Sequence, residues 1–192
     1  MKKNIAIFLF IFFSFNVFSQ RTIAPNIRKL KNDTVIWKQD SLLHKEDFKA
    51  RGKSNGPLGY AATGIFMYPG ESGGELLFYV EALFIKSKSY ITQYSEYVLR
   101  HEQIHFDICE LHARKLRQKM TNTNFKNVKN LQSETTKLYN KVSGELFKEQ
   151  EKYDKDTEHG INSAKQKLWE EEIQNRIKEL DEFSASSINI AK

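Results

Sequence analysis

The spacing of apolar positions along this chain changes near residue 87. Upstream they come in short blocks, Thr34-Val35-Ile36-Trp37, then Gly59 to Tyr68, then Leu76 to Ile85. Blocks of this length, rich in aromatic and β-branched residues, read as strands. Arg51-Gly52-Lys53-Ser54-Asn55-Gly56-Pro57 reads as a loop, and Pro69-Gly70 and Gly73-Gly74 ahead of the last block suit a hairpin. The last strand, Leu76–Ile85, is expected at a sheet edge. Downstream the spacing becomes three, four and seven, the period of one helix face. A first helix is expected from about Tyr90 to Met120, capped by Ser87 or Ser89 and broken by Thr121-Asn122-Thr123-Asn124. A second carries Phe125, Val128, Leu131, Leu138, Val142, Leu146 and Tyr153. After a break over residues 154–160, a third carries Ile161, Ala164, Leu168, Ile173, Ile177 and Leu180. Residues 184–192 read as a flexible tail. The pattern predicts one α+β domain over residues 20–183, a small antiparallel sheet followed by three helices.

The start of the chain has a different character. Met1-Lys2-Lys3 precedes an apolar run from Ile5 to Phe13, and Val17 and Ser19 stand where a signal peptidase needs small residues. A membrane span needs about 20 apolar residues, and this run is shorter and broken by Asn16. Residues 1–19 therefore read as a signal peptide, an uncleaved anchor being the alternative. No cysteine follows it, which argues against a lipoprotein. The expectation is an exported chain, periplasmic or secreted, with no stable membrane insertion after cleavage. Loss of Lys2 and Lys3 takes the formal charge from +6 to +4. Cys109 is the single cysteine, so no intrachain disulfide can form, and a buried packing role is expected. The lysines of the helices alternate with glutamates, as on a solvated face. Without a basic stripe carrying aromatics, no nucleic-acid partner is expected.

The chemistry lies in the first helix, where His101-Glu102-Gln103-Ile104-His105 spells HExxH. Residues four apart share a helix face, so the two imidazoles can converge on one metal ion. Glu102 is rotated by about 100° from His101 and advanced by about 1.5 Å, where it can reach a water on that metal as general base. Two histidines leave a catalytic zinc site one protein ligand short. His112 lies seven residues beyond His105, roughly 10 Å along the axis, too far to share the ion. Glu110 and Asp107 point off the face, and His44 has no supporting pattern. His159, in the break between helices and followed by Gly160, is the preferred third ligand, with Glu158 and Asp154 as fallbacks. Asp107 and Glu110 with Arg114 are read either as acceptors for the ligand imidazoles or as surface pairs. Tyr90, Tyr94 and Tyr153 are candidate donors to an oxyanion.

The stretch Tyr97-Val98-Leu99-Arg100-His101-Glu102-Gln103-Ile104-His105-Phe106-Asp107-Ile108, continuing with Glu110-Leu111 and Ala113-Arg114-Lys115, resembles a bacterial family, domain of unknown function 922. That family is described as predicted secreted zinc-dependent proteases. The resemblance extends to Asp47-Phe48, Ala61-Ala62-Thr63, Tyr153-Asp154, Thr157, His159-Gly160, Gln166 and Trp169, about residues 37 to 182. The chain has Ser89-Tyr90 where the family usually has Ser-Trp. The resemblance implies a zincin-like fold and a metallopeptidase. With the residue reading, it leads to the expectation of a peptide-bond hydrolase using Zn2+ on His101, His105 and His159, Glu102 as base, and a peptide or protein substrate. The alternatives are a non-catalytic exported zinc-binding or envelope interaction module, and a cell-wall amidase.

Overall fold

The computed structural model describes residues 32–52, 56–125 and 128–189. The signal-peptide reading falls outside them. The chain divides into units Met1–Asn32 and Asp33–Lys192, and every element below lies in the second.

The longest strand, β4 (Glu75–Ile85), organises the sheet. Its alternate residues Phe78, Val80, Ala82 and Phe84 are buried, the period-two pattern of a strand with one face on the core. Along one side it pairs with β3 (Thr63–Ser72), from Thr63 opposite Phe84 to Ser72 opposite Glu75. Its other side is shared by β1 (Thr34–Ile36), paired at Leu83 to Ile85, and β6 (Ser187–Asn189), paired at Leu77 to Tyr79. All pairings are antiparallel. The expected edge strand is thus the centre of the sheet, and β3 is an edge.

The final segment corrects a second expectation. Instead of a flexible tail, Ser187–Asn189 forms β6 and buries Ile188. Three residues are too few to register as a strand pattern, and Arg117 provides the anchor. Its guanidinium donates to the Val80 carbonyl at 2.9 Å and the Phe183 carbonyl at 2.8 Å. Pro69-Gly70 lies within β3 rather than in a turn; on an edge strand a missing N–H need not cost a ladder bond. The hairpin turn is Gly73-Gly74, with φ of +61° and +83°, the left-handed pair a two-residue turn requires.

The Gly59–Tyr68 block splits in two. Its first part, β2 (Gly59–Tyr60), leaves the main sheet to pair with β5 (Tyr90–Ile91). That pairing removes residues 90 and 91 from the helix, so α1 spans Glu96–Thr121. Its cap is Ser95, whose hydroxyl accepts from the Val98 N–H at 3.1 Å. Ser89 is buried instead, donating to the Ile85 carbonyl at 2.7 Å and accepting from the Ala62 N–H at 2.9 Å.

Helix α1 packs on β3 and β4 and against α2 (Val128–Asp156) and α3 (Ser163–Glu179). Ile104, Ile108, Leu111 and Leu116 join Phe84, Val142, Leu146, Ile173 and Ile177 in one core. Because α1 is covered on nearly every side, its polar residues need internal partners. Asp107 accepts from Trp37 Nε1, Gln103 Nε2 and Gln174 Nε2, each at 2.8 Å. Glu110 accepts from Arg114 Nε and Arg117 Nη1, each at 3.0 Å. Both carboxylates therefore hold the fold together and are not the partners of the imidazoles. Cys109 is fully buried, which pushes its thiol pKa up. Among the described residues no helix is long and apolar enough to cross a membrane.

Candidate metal centre

Four-residue spacing on α1 puts the rings of His101 and His105 side by side, with centroids 4.9 Å apart and planes near perpendicular at 88°. Helix α2 presents Gln150, Tyr153 and Asp154 to them, at the three- and four-residue spacing of one face. Asp154 Oδ1 is 2.9 Å from His105 Nε2 and 3.3 Å from His101 Nε2. The ligand atoms of His101, His105 and Asp154 all lie within 4.8 Å of one another. Tetrahedral donors at zinc-ligand bond lengths of about 2 Å stand about 3.3 Å apart, so this set fits such an ion. Two imidazoles and a carboxylate are also the donor chemistry that zinc accepts.

Outside this trio the rings are held from behind. His105 Nδ1 meets Gln150 Oε1. His101 Nδ1 meets the Tyr153 hydroxyl at 2.8 Å and Gln166 Oε1 at 3.2 Å. The buried Tyr153 ring stacks on His101 at 4.7 Å and stands edge-on to His105 at 4.8 Å. Tyr153 thus supports both imidazoles from behind.

Glu102, beside this group on α1, is buried, and burial pushes its carboxyl up to about 7. The nearby Asp154 charge adds to the rise; His105 and the Ala61 N–H oppose it. A bound metal cation would pull it down again. Strand β2 runs against this carboxylate: a Cβ on Gly59 would stand 2.4 Å from Glu102 Oε1. Burial lowers the His101 pKa against the pull of Asp154. Burial also opposes a charge on His105, but Asp154, Glu102 and Gln150 together outweigh it and raise that pKa. Burial works against the charged form of Asp154 as well, and its bonds to the two imidazoles overcome that and hold it well below the usual carboxylate range. A positive charge is therefore favoured on His105 beside Asp154 and disfavoured on His101.

The structure does not bring His159 into the trio. Its side chain is 71% exposed, with Nδ1 3.7 Å from Asp154 Oδ2. The reason is local. Glu158, His159 and Gly160 all take left-handed φ values (+53°, +55° and +85°), which turn the chain sharply after α2. That turn aims the imidazole outward and lays Gly160 on His101, where a Cβ would come 3.2 Å from the ring. Asp154, a fallback from the sequence, is the residue that lies beside both imidazoles. The signal was there in the spacing of Gln150, Tyr153 and Asp154, but the expected helix ended at Tyr153, three residues short of its observed end at Asp156. Glu158 is not in the group either. His112 pairs with Glu149 at 2.7 Å, away from the trio as its axial offset predicts. His44 caps the short turn Lys45–Asp47. Tyr94 bonds Glu96 on the surface, and Tyr90 packs on Tyr60 at 5.8 Å. Gln150 had no place in the sequence reading and Gln166 entered only through the family resemblance, with no role given to it, because an amide carries no signature of its own.

Residues 86–160 match the model of a family described as "Bacterial protein of unknown function (DUF922)". The matched segment contains His101, Glu102, His105, Asp154 and His159, and ends before Gln166. No curated protein and no solved structure matches the chain.

Proposed function

We propose, on the geometry carried by residues 86–160, the segment that matches that family's model, that the chain is an exported zinc-dependent hydrolase of peptide bonds. The observation that carries this reading is the convergence of two imidazole nitrogens and one carboxylate oxygen within 4.8 Å, with the buried Glu102 alongside. His101, His105 and Asp154 hold the metal, and His159 stands at the rim. When bound, the metal supplies Lewis-acid chemistry, polarising a carbonyl and acidifying a water. Glu102 accepts the proton that the attacking water gives up and returns it to the departing amine. Burial in the crowded site beside Gly59 fixes the position of its carboxylate. A carboxylate third ligand leaves a smaller net positive charge at the centre than a third histidine would.

The test is metal content by mass spectrometry, beside hydrolysis of an unstructured protein such as casein. About one zinc per chain is expected in the unmodified protein and in His159→Ala, with loss in His101→Ala and Asp154→Ala. Zinc kept by Asp154→Ala and lost from His159→Ala would make His159 the ligand after all. Glu102→Gln is expected to keep its zinc and lose hydrolysis by about 100-fold or more, the scale of general-base catalysis. Hydrolysis at the unmodified rate in that variant would refute the mechanism.

A further inference from the structure

We infer that Gln150 and Gln166 are positioning residues that force both histidines to offer Nε2 to the metal. The inference rests on the proposed metal centre and concerns what sets its geometry and affinity. An imidazole can bind through either nitrogen, and the choice follows from what the other nitrogen donates to. An amide side chain can be turned either way, so its orientation has to be read from its other bonds.

At Gln150 those bonds leave one answer. Its Nε2 lies 3.1 Å from the His105 backbone carbonyl and 3.2 Å from Thr63 Oγ1. A carbonyl oxygen can only accept, so Nε2 is the donor there and Oε1 is the atom at His105 Nδ1. That oxygen can only accept in turn, so His105 carries a proton on Nδ1, and Nε2, on Asp154's side of the site, is the nitrogen left to offer to a metal in exchange for any proton it shares with Asp154. The same reasoning holds at His101. Gln166 Nε2 lies 3.5 Å from the Tyr97 carbonyl, which leaves Oε1 facing His101 Nδ1 at 3.2 Å. With Nδ1 the donor, the Tyr153 hydroxyl at 2.8 Å accepts from it as well, and the His101 carbonyl at 3.4 Å is there to take the hydroxyl proton. Both outer acceptors at His101 and the one at His105 are neutral. The supporting layer therefore orients the imidazoles without adding negative charge, and a carboxylate in the same place would make them more basic ligands.

The experiment measures zinc affinity by competition with a chromophoric chelator for the full chain, Gln150→Met, Gln166→Met and Gln166→Glu. Thermal melts of the metal-free proteins check the fold. Loss of the outer acceptor at His105 is expected to weaken zinc binding by about 10- to 100-fold in Gln150→Met. In Gln166→Met the loss is expected at the lower end of that range, because Tyr153 still meets His101 Nδ1. Gln166→Glu, which restores an acceptor, is expected to bind at least as tightly as the unmodified chain. In the zinc-loaded protein, nitrogen NMR is expected to show Nδ1–H on both histidines. Methionine variants within about twofold of the unmodified affinity would overturn this inference alone, as would Gln166→Glu binding as weakly as Gln166→Met. An unmodified chain that takes up no zinc would overturn the metal centre itself and this inference with it.

Discussion

At Gly59 a single hydrogen atom decides the position of the catalytic carboxylate proposed above. A methyl group there would meet Glu102 Oε1 at 2.4 Å, well inside contact distance, so Glu102 would have to move. Gly59→Ala is therefore expected to keep its zinc but to lose hydrolysis by about 100-fold, since a displacement of about 1 Å at a reacting group costs that much. Zinc content and kcat measured on one preparation check it; an alanine variant with unmodified kcat would show that the carboxylate has room to spare. Gly160 meets both constraints at once, with φ of +85° and the His101 ring at 3.2 Å from a would-be Cβ. Gly160→Ala is expected to lose about 1–3 kcal/mol in a urea titration, the usual range for a strained backbone residue. At this scale much of the site was legible. HExxH on a helix needs no tertiary information to put two imidazoles on one face. The glycines were not legible as site residues, because what makes them necessary is a neighbour distant in sequence.

Between elements, the joint of α1, α2 and α3 is an ionic one. Glu149 on α2 meets His112 Nε2 on α1 at 2.7 Å and Arg176 Nη2 on α3 at 3.1 Å. Burial alone would raise its pKa, but the bonds to His112 and Arg176 and the nearby Lys115 charge outweigh it and bring it from an ordinary 4.5 down to about 2. A depressed carboxylate stabilises the fold above its unfolded value and loses that contribution as pH falls through the folded one. Glu149→Gln is thus expected to be less stable than the unmodified chain above pH 4.5, with the difference shrinking between pH 4.5 and 2. Urea midpoints across that range measure it; a difference independent of pH would remove the ionic explanation. Arg117 similarly ties the end of the chain to β4. Deleting residues 184–192 removes β6 and the buried Ile188 and is expected to cost about 1.5–3 kcal/mol, the worth of a fully buried aliphatic side chain. The sequence pattern placed strands before helices correctly. It missed β6 and the β2–β5 pair because two or three residues show no period.

For the unit Asp33–Lys192 as a whole, the metal proposed above would be held by residues of two helices and would clamp them together. Any ligand that binds only the folded state stabilises it by mass action, by about 2.7 kcal/mol at roughly a hundredfold excess over Kd. Added zinc is expected to raise the melting temperature and a chelator to reverse the rise, with no zinc-dependent change in Asp154→Ala. Calorimetry with and without chelator reads this directly, and a melting temperature indifferent to zinc in the unmodified protein would count against the clamp.

By itself, the amino-acid sequence determined whatever repeats with a local period. The α+β order, the helix that carries His101, Glu102 and His105, and the exclusion of His112 by its axial offset all follow from 3.6 residues per turn and from alternation in strands. Only the tertiary structure decided which residue completes the group. His159 and Asp154 are five positions apart and were both eligible by chemistry. The choice fell to Asp154 because α2 continues to Asp156 and keeps that carboxylate on the face turned towards α1, while the left-handed turn after it carries His159 outward. The same is true of the sheet: β4 sits at its centre because β1 and the returning β6 both pair along the side that β3 leaves free, and no local pattern encodes partners so distant along the chain.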